Sequence, residues 1–324
     1  MNFILKEMTY LRYFIPLTIA GNKKNIKSNY FISPSNKYNC PIRYENLIKQ
    51  YSSAYNFGIH KLKDVSNVSG PTFMIEGNGL DHLDEKHKKI VITYMTDFVD
   101  SWKNYVDTAD HILLPSEYIA KYYNCVSNKN LYLGSPKYDF LDTTSKNAIM
   151  NKWGLSSEKK LALVVAPRRR DANKINLEKI YLFLKKMNFN ILVKTRGKDP
   201  VDPKFQGDKY FIDSCWYPHD TLELLKVSDL LINFGSTTIK EAAISRTPAI
   251  DFNIKPKNIR RGFDFLYDEP FCTVLDAGVE YNDFKLAIDN ILALNLEEEY
   301  DIMREKYFFK DGSSERIVQE FCKA

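Results

Sequence analysis

Short apolar runs of strand length alternate with helical patterns almost from one end of the chain to the other, and few folds accommodate that order. In the first half the patterning predicts strands over residues 30–33, 72–76, 90–94, 111–114 and 131–133. Helical patterns fall between them over 9–20, 42–54, 98–107 and 117–123. Each strand is largely apolar and is closely followed by Gly, Pro, Ser or Asp, which suits buried parallel strands better than half-exposed antiparallel ones. Over 137–159 the character changes. Asp142-Thr143-Thr144-Ser145 and Gly154-Leu155-Ser156-Ser157 read there as an inter-domain connection with one helix near 145–153. A second series then begins, with strands over 161–166, 189–194, 229–233 and 249–252, and helices over 177–187, 221–227 and 237–245. Helices over 283–294 and 314–322 close the chain. At 324 residues two domains are the expectation. The fold class is α/β, with two doubly wound, Rossmann-like domains facing a cleft, the first over 1–150. In such sheets ligands bind at the carboxyl ends of the strands.

Composition excludes several classes. The formal charge of +5 is compatible with a phosphate-bearing ligand or an anionic membrane surface. It falls short of the basic stripe of a dedicated nucleic-acid binder, so nucleic acid is not an expected partner. The five cysteines, Cys40, Cys125, Cys215, Cys272 and Cys322, form no C-x-x-C unit. Neither a disulfide framework nor a structural zinc site is expected, and free thiols fit a cytoplasmic protein. The apolar run 13–20 is far too short to span a bilayer, which needs about 20 residues, so any membrane contact is peripheral.

Four segments carry candidate chemistry. The strand 161–166 ends in Pro167-Arg168-Arg169-Arg170-Asp171, where the arginine forks suit phosphate oxygens. The alternative is a solvated charge cluster or an ion-pair network. The strand 189–194 ends in Lys194-Thr195-Arg196-Gly197-Lys198, a second cationic tip. The strand 229–233 runs into Phe234-Gly235-Ser236-Thr237-Thr238, and a helix starts directly there. Gly235 permits close backbone approach, and the hydroxyls of Ser236, Thr237 and Thr238 with the helix N–H groups make an anion site. Glu241, one turn on, is placed to reach a ribose hydroxyl. A plain Ser/Thr cap completed by Glu241 is the competing interpretation. In the first half, Phe73-Met74-Ile75-Glu76-Gly77-Asn78-Gly79 delivers a carboxylate onto a Gly-x-Gly loop. Glu76 is a candidate general base, with a surface turn bearing one capping acid as the alternative. Asp97 is the less favoured candidate. Asp81-His82-Leu83-Asp84-Glu85 reads as a solvated helix start, not a metal site.

These segments, in this order, resemble the CDP-glycerol glycerophosphotransferase-like branch of the GT-B superfamily, which is also similar to UDP-N-acetylglucosamine 2-epimerases. Leu133-Gly134-Ser135-Pro136-Lys137-Tyr138-Asp139-Phe140-Leu141 looks like the Gly-Asn-Pro-Arg-x-Asp-x-Leu signature that precedes the second domain. Ala166-Pro167-Arg168-Arg169-Arg170-Asp171 resembles Ala-Pro-Thr-x-Arg-Asp, placing the family arginine on Arg170. The paired serines fall on Ser236 and Thr237 and the following acid on Glu241. Asp311-Gly312-Ser313-Ser314-Glu315-Arg316-Ile317 is close to the Asp-Gly-x-Ala-Ser-Glu-Arg-Ile that opens the C-terminal helix. The resemblance implies a nucleotide-donor domain over 151–310 and a last helix, 311–324, that crosses back to the first domain.

The departures matter to the chemistry. A His-Gly pair in the first domain and a histidine after the 189–194 strand are expected of the glycerophosphotransferases. Here those places read Glu76-Gly77 and Lys194-Thr195-Arg196. The resulting expectation is a glycosyltransferase that moves a sugar from a nucleotide-sugar donor to a glycan or lipid-linked acceptor. Arg170, Lys194, Arg196 and the helix start at Ser236 would neutralise the departing diphosphate with no metal or cofactor. A CDP-glycerol-type glycerophosphotransferase, a nucleotide-sugar 2-epimerase and a non-catalytic GT-B binding module are the alternatives. The expected location is the cytoplasm, with peripheral contact at the inner face of the membrane.

Overall fold

Seven short strands of the first half pair in parallel: β1 (Asn2–Leu5), β2 (Asn29–Ile32), β3 (Gly58–Lys61), β4 (Gly70–Ile75), β5 (His87–Ile92), β6 (His111–Leu114) and β7 (Asn130–Tyr132). They lie in the order β3-β2-β1-β4-β5-β6-β7 in the computed structural model. Six strands of the second half form a separate parallel sheet: β8 (Leu161–Val165), β9 (Asn190–Thr195), β10 (Lys209–Ile212), β11 (Leu230–Asn233), β12 (Ala249–Phe252) and β13 (Cys272–Leu275). Their order is β10-β9-β8-β11-β12-β13. Both sheets thus reverse direction between their first and fourth strands, the Rossmann arrangement whose switch point is the usual ligand crevice. The structure describes residues 1–34, 40–94, 102–167, 169–195, 201–212, 216–254, 263–308 and 312–322, without the side chains of residues 142, 169 and 170.

Contacts divide the chain into two units, Met1–Asp142 with Glu305–Ala324, and Thr143–Arg304. Four strands were not visible in the sequence patterning. β3, β10 and β13 are outermost strands whose residues are mostly partly exposed, so they lack the continuous apolar run of a central strand. β1 is fully buried but only four residues long at the start of the chain.

In the first unit, helix α1 (Leu11–Asn22) is buried along most of its length, which accounts for the apolar run 13–20. Helices α2 (Glu45–Tyr55) and α3 (Glu117–Tyr122) follow in the same unit. The side chain of Ser116 accepts the Ile119 N–H at the start of α3.

The second unit opens with α4 (Lys146–Trp153), capped by Ser145 and ended by Gly154 in the left-handed region. Around its sheet lie α5 (Leu177–Lys186), α6 (Asp220–Val227), α7 (Thr238–Ser245), α8 (Tyr281–Ala293) and α9 (Glu297–Met303). Its core joins Val164, Val193 and Ile232 from the strands to Leu184, Phe284 and Ile288 from the helices. A buried carboxylate ties α4 to α6. Glu223 accepts Lys152 Nζ at 2.7 and 2.8 Å and Trp153 Nε1 at 3.1 Å.

The last helix, α10 (Ser313–Phe321), returns to the first unit and packs on α1. Its Phe321 ring meets Phe73 at 5.8 Å and His111 at 5.2 Å. Asp139 caps it, accepting the N–H groups of Ser313 at 3.0 Å and Ser314 at 2.7 Å. Burial pushes the Asp139 carboxyl above its ordinary range, against the pull of those bonds and of Arg316. The Arg316 guanidinium reaches the Leu133 carbonyl at 3.4 Å. The segments 133–141 and 312–317, met separately in the sequence, are therefore two halves of one clasp.

Candidate active site

The second unit builds its candidate site at the switch point between β8 and β11. The two strands are neighbours, with Val164 opposite Ile232. The loop after β8 begins with Ala166 and Pro167 and continues into a 3-10 turn, Arg169–Lys174. Arg170 lies in that turn, its side chain outside the described residues. Asp171, from the same loop, is buried and accepts Lys174 Nζ at 2.7 Å. The loop after β11 carries Gly235, Ser236 and Thr237, and α7 begins at Thr238. The first and third of the segments singled out in the sequence therefore follow adjacent strands.

Gly235 adopts φ +59°, a conformation natural to glycine. Its N–H donates to Asp251 Oδ1 at 2.9 Å. Ser236 Oγ lies 3.1 Å from Thr238 Oγ1 and 3.4 Å from the Thr238 N–H. Thr237 holds the N-cap position of α7 without a side-chain capping bond. Glu241, in the first turn, is buried, as is its neighbour Lys240, whose ammonium sits 4.9 Å from the Phe263 ring centre. The hydroxyls of Ser236, Thr237 and Thr238 and the start of α7 thus share one strand-to-helix corner.

β9 lies beside β8, with Lys194 opposite Val165, so the cationic strand ends are neighbours as the sequence suggested. The charge is arranged differently from the expected exposed tip. Lys194 is buried, its Nζ donates to the Thr195 carbonyl at 3.0 Å, and it lies 3.6 Å from the buried carboxylate of Asp220 at the start of α6. Much of its charge is answered inside the unit. Arg196 lies outside the described residues, as do Gly197 and Lys198.

In the first unit the Glu76 loop follows β4, again beside the switch point. Glu76 has φ +52°, a left-handed conformation that costs a non-glycine residue roughly 1–2 kcal/mol. Its Oε1 accepts the Tyr94 N–H at 2.7 Å, and the Tyr105 hydroxyl hydrogen-bonds its carboxylate. Burial first, and the Glu76 charge second, raise the Tyr105 hydroxyl far above its ordinary range. The two glycines have packing reasons of their own. A Cβ on Gly77 would lie 2.7 Å from Tyr105 Cβ, and one on Gly79 would lie 2.7 Å from Ile4 Cγ2. Asn78 donates to the Tyr10 hydroxyl at 2.9 Å, linking this loop to the one after β1. Asp97 lies outside the described residues.

Sequence reasoning missed Asn233, Asp220 and Asp251, three buried polar residues that organise the site. Their sequence signal is a polar residue at or next to the end of an apolar run, and that does not reveal the tertiary partner. Among the described residues no group of three His, Cys, Asp or Glu side chains is placed to hold a metal ion. Among the same residues no helix is long and apolar enough to cross a membrane.

Comparison with known proteins agrees with this architecture. Solved structures that resemble the chain include the wall teichoic acid polymerase TagF, with a TM-score of 0.66 at 15% identity, covering 98% of this chain and 87% of that one. A Listeria monocytogenes protein assigned as a UDP-N-acetylglucosamine 2-epimerase gives 0.61 at 13% identity, covering 98% and 94%. The glycotransferase of kitacinnamycin gives 0.61 at 10% identity, covering 99% and 98%. These likenesses establish the GT-B fold. No curated protein matches the sequence. The family model for CDP-glycerol:poly(glycerophosphate) glycerophosphotransferase matches residues 72–321, which takes in the clasp, the crevice loops and the last helix. The chain belongs to that family and is a transferase of the GT-B type.

Proposed function

We propose that the protein transfers a sugar from a nucleotide-sugar donor, bound at the β8–β11 crevice, to a glycan or lipid-linked acceptor of the cell envelope. The observation that carries this reading is the placement of the Arg170 turn and the Ser236–Thr238 corner on opposite sides of one Rossmann switch point. In that geometry the hydroxyls and the start of α7 receive the diphosphate, and Arg170 and Arg196 supply the positive charge that Lys194, already facing Asp220, supplies only in part. Glu241 reaches the ribose. Glu76 serves as the base that takes the acceptor's proton, and Asp97 is the second candidate for that role. The arginines and the helix start do the work of charge neutralisation, so the reaction as proposed needs no metal. The protein is proposed to work in the cytoplasm, at the inner face of the membrane.

A second reading is favoured by the family itself, whose description names glycerophosphate transfer. In it the donor is CDP-glycerol and the transferred group is glycerol phosphate. Against it stand Glu76 and the Lys194-Thr195-Arg196 run at the positions where histidines are expected.

Thermal-shift titration of the purified protein against UDP-, GDP-, CDP- and ADP-sugars, CDP-glycerol and the free nucleotides separates the two. A ligand at a hundred times its Kd should stabilise by about 2.7 kcal/mol. Selective stabilisation by one nucleotide-sugar class, lost in Arg170→Ala and weakened in Glu241→Ala, is the expected result. A response confined to CDP-glycerol would select the second reading. A flat response at saturation would sink both.

A further inference from the structure

We infer that Asp251 is a positioning residue for the donor loop, acting through the backbone of Gly235 and the side chain of Asn233. The inference rests on the proposal that this loop binds the donor. Asp251 and Asn233 are direct partners across β12 and β11. Both are buried, Asn233 completely. Asp251 Oδ1 accepts two bonds at once, from Asn233 Nδ2 at 2.6 Å and from the Gly235 N–H at 2.9 Å. The same Asn233 amide donates to the Ser236 carbonyl at 3.0 Å. One carboxylate oxygen and one amide therefore hold the turn at both of its peptide links, Gly235 through its N–H and Ser236 through its C=O.

This arrangement has a consequence for recognition. The Gly235 N–H is directed to Asp251, so it is not among the donors offered to a phosphate. The remaining donors are the hydroxyls of Ser236, Thr237 and Thr238 and the backbone N–H groups of Ser236 and Thr237, since the N–H groups of Thr238, Ile239 and Lys240 donate to Ser236 Oγ, the Ser236 carbonyl and the Thr237 carbonyl. Their directions depend on the turn that Asp251 fixes. Preorganised donors bind an anion without first losing conformational freedom, which is why a buried anchor behind them matters to affinity.

Because a single oxygen accepts both bonds, Asp251→Asn keeps the acceptor and removes the charge, whereas Asp251→Ala removes both. The test measures steady-state transfer and calorimetric binding of the free nucleotide that stabilises the wild-type protein in the thermal-shift panel. Asp251→Ala should raise donor KM and nucleotide Kd at least tenfold while kcat at saturating donor falls less than threefold. Asp251→Asn should bring KM and Kd back to within threefold of the wild type. A folded Asp251→Ala variant with Kd within twofold of the wild type would overturn the inference, as would an Asn variant no better than Ala. Should Asp251→Ala fail to fold, Asn233→Ala, which cuts the bond to the Ser236 carbonyl, carries the same expectation and is overturned by the same unchanged Kd. A wild-type protein that binds no nucleotide would overturn the functional reading and this inference with it. Normal wild-type binding with insensitive variants overturns this inference alone.

Discussion

Glu76 illustrates how a single position can carry two demands. Its backbone is left-handed, its carboxylate accepts the Tyr94 N–H, and the Tyr105 hydroxyl leans on the same group. Those contacts hold the end of β4 against the chain beyond β5, which is the structural duty the sequence left open as a capping acid. The proposed chemical duty is separable from it. Glu76→Gln retains an acceptor oxygen for the Tyr94 N–H, so the loop should keep its shape. Loss of a general base typically lowers turnover about a hundredfold or more. The expected outcome is therefore a kcat at least a hundredfold below the wild type, with donor Kd and melting temperature nearly unchanged, read by single-turnover transfer and calorimetry. An unchanged kcat would remove Glu76 from the mechanism and leave it as a loop anchor.

Among the elements, α10 shows most directly how distant segments become one feature. Nothing in the spacing of Asp139 and Ser313 says that they meet, yet the carboxylate caps the helix with two N–H bonds and Arg316 closes on the Leu133 carbonyl. Replacing an N-cap acid with alanine typically costs about 1 kcal/mol, up to about 2. Asp139→Ala should cost at least that much, because two buried N–H groups lose their acceptor together. A urea titration followed by far-UV circular dichroism should show a lower midpoint than the wild type. An unaltered midpoint would mean that α10 is held by its apolar face alone. The same logic explains what the sequence disclosed and what it hid. Central strands such as β8 and β11 were legible because burial on both faces demands a continuous apolar run. Edge strands β3, β10 and β13 were hidden by their partial exposure, and β1 by its four-residue length. The Ser236–Thr238 corner was legible because glycine followed by hydroxyls at a strand-to-helix turn is a local signal. Asp251 and Asp220 were not, because a hydrogen bond across strands, or from a strand to a helix, has no local signature.

At the scale of the whole molecule, the two units share the strand order 3-2-1-4-5-6, the first adding a seventh strand, and the donor site is proposed in the second. Each unit has its own sheet, so a ligand confined to the second should leave its mark there first. Binding lowers the rate at which exchangeable amides open, by an amount set by ligand concentration over Kd. With the stabilising nucleotide at a hundredfold over Kd, hydrogen exchange should slow in the loop 166–174 and in 234–241. The strand β1 and the helix α10, in the other unit, should exchange at their unliganded rates. Asp251→Ala should blunt the effect over 234–241, since that turn would pay more to become ordered. Protection centred on β1 or on the Glu76 loop would instead place nucleotide binding in the first unit. The arginine turn and the hydroxyl corner would then have no role in holding the donor.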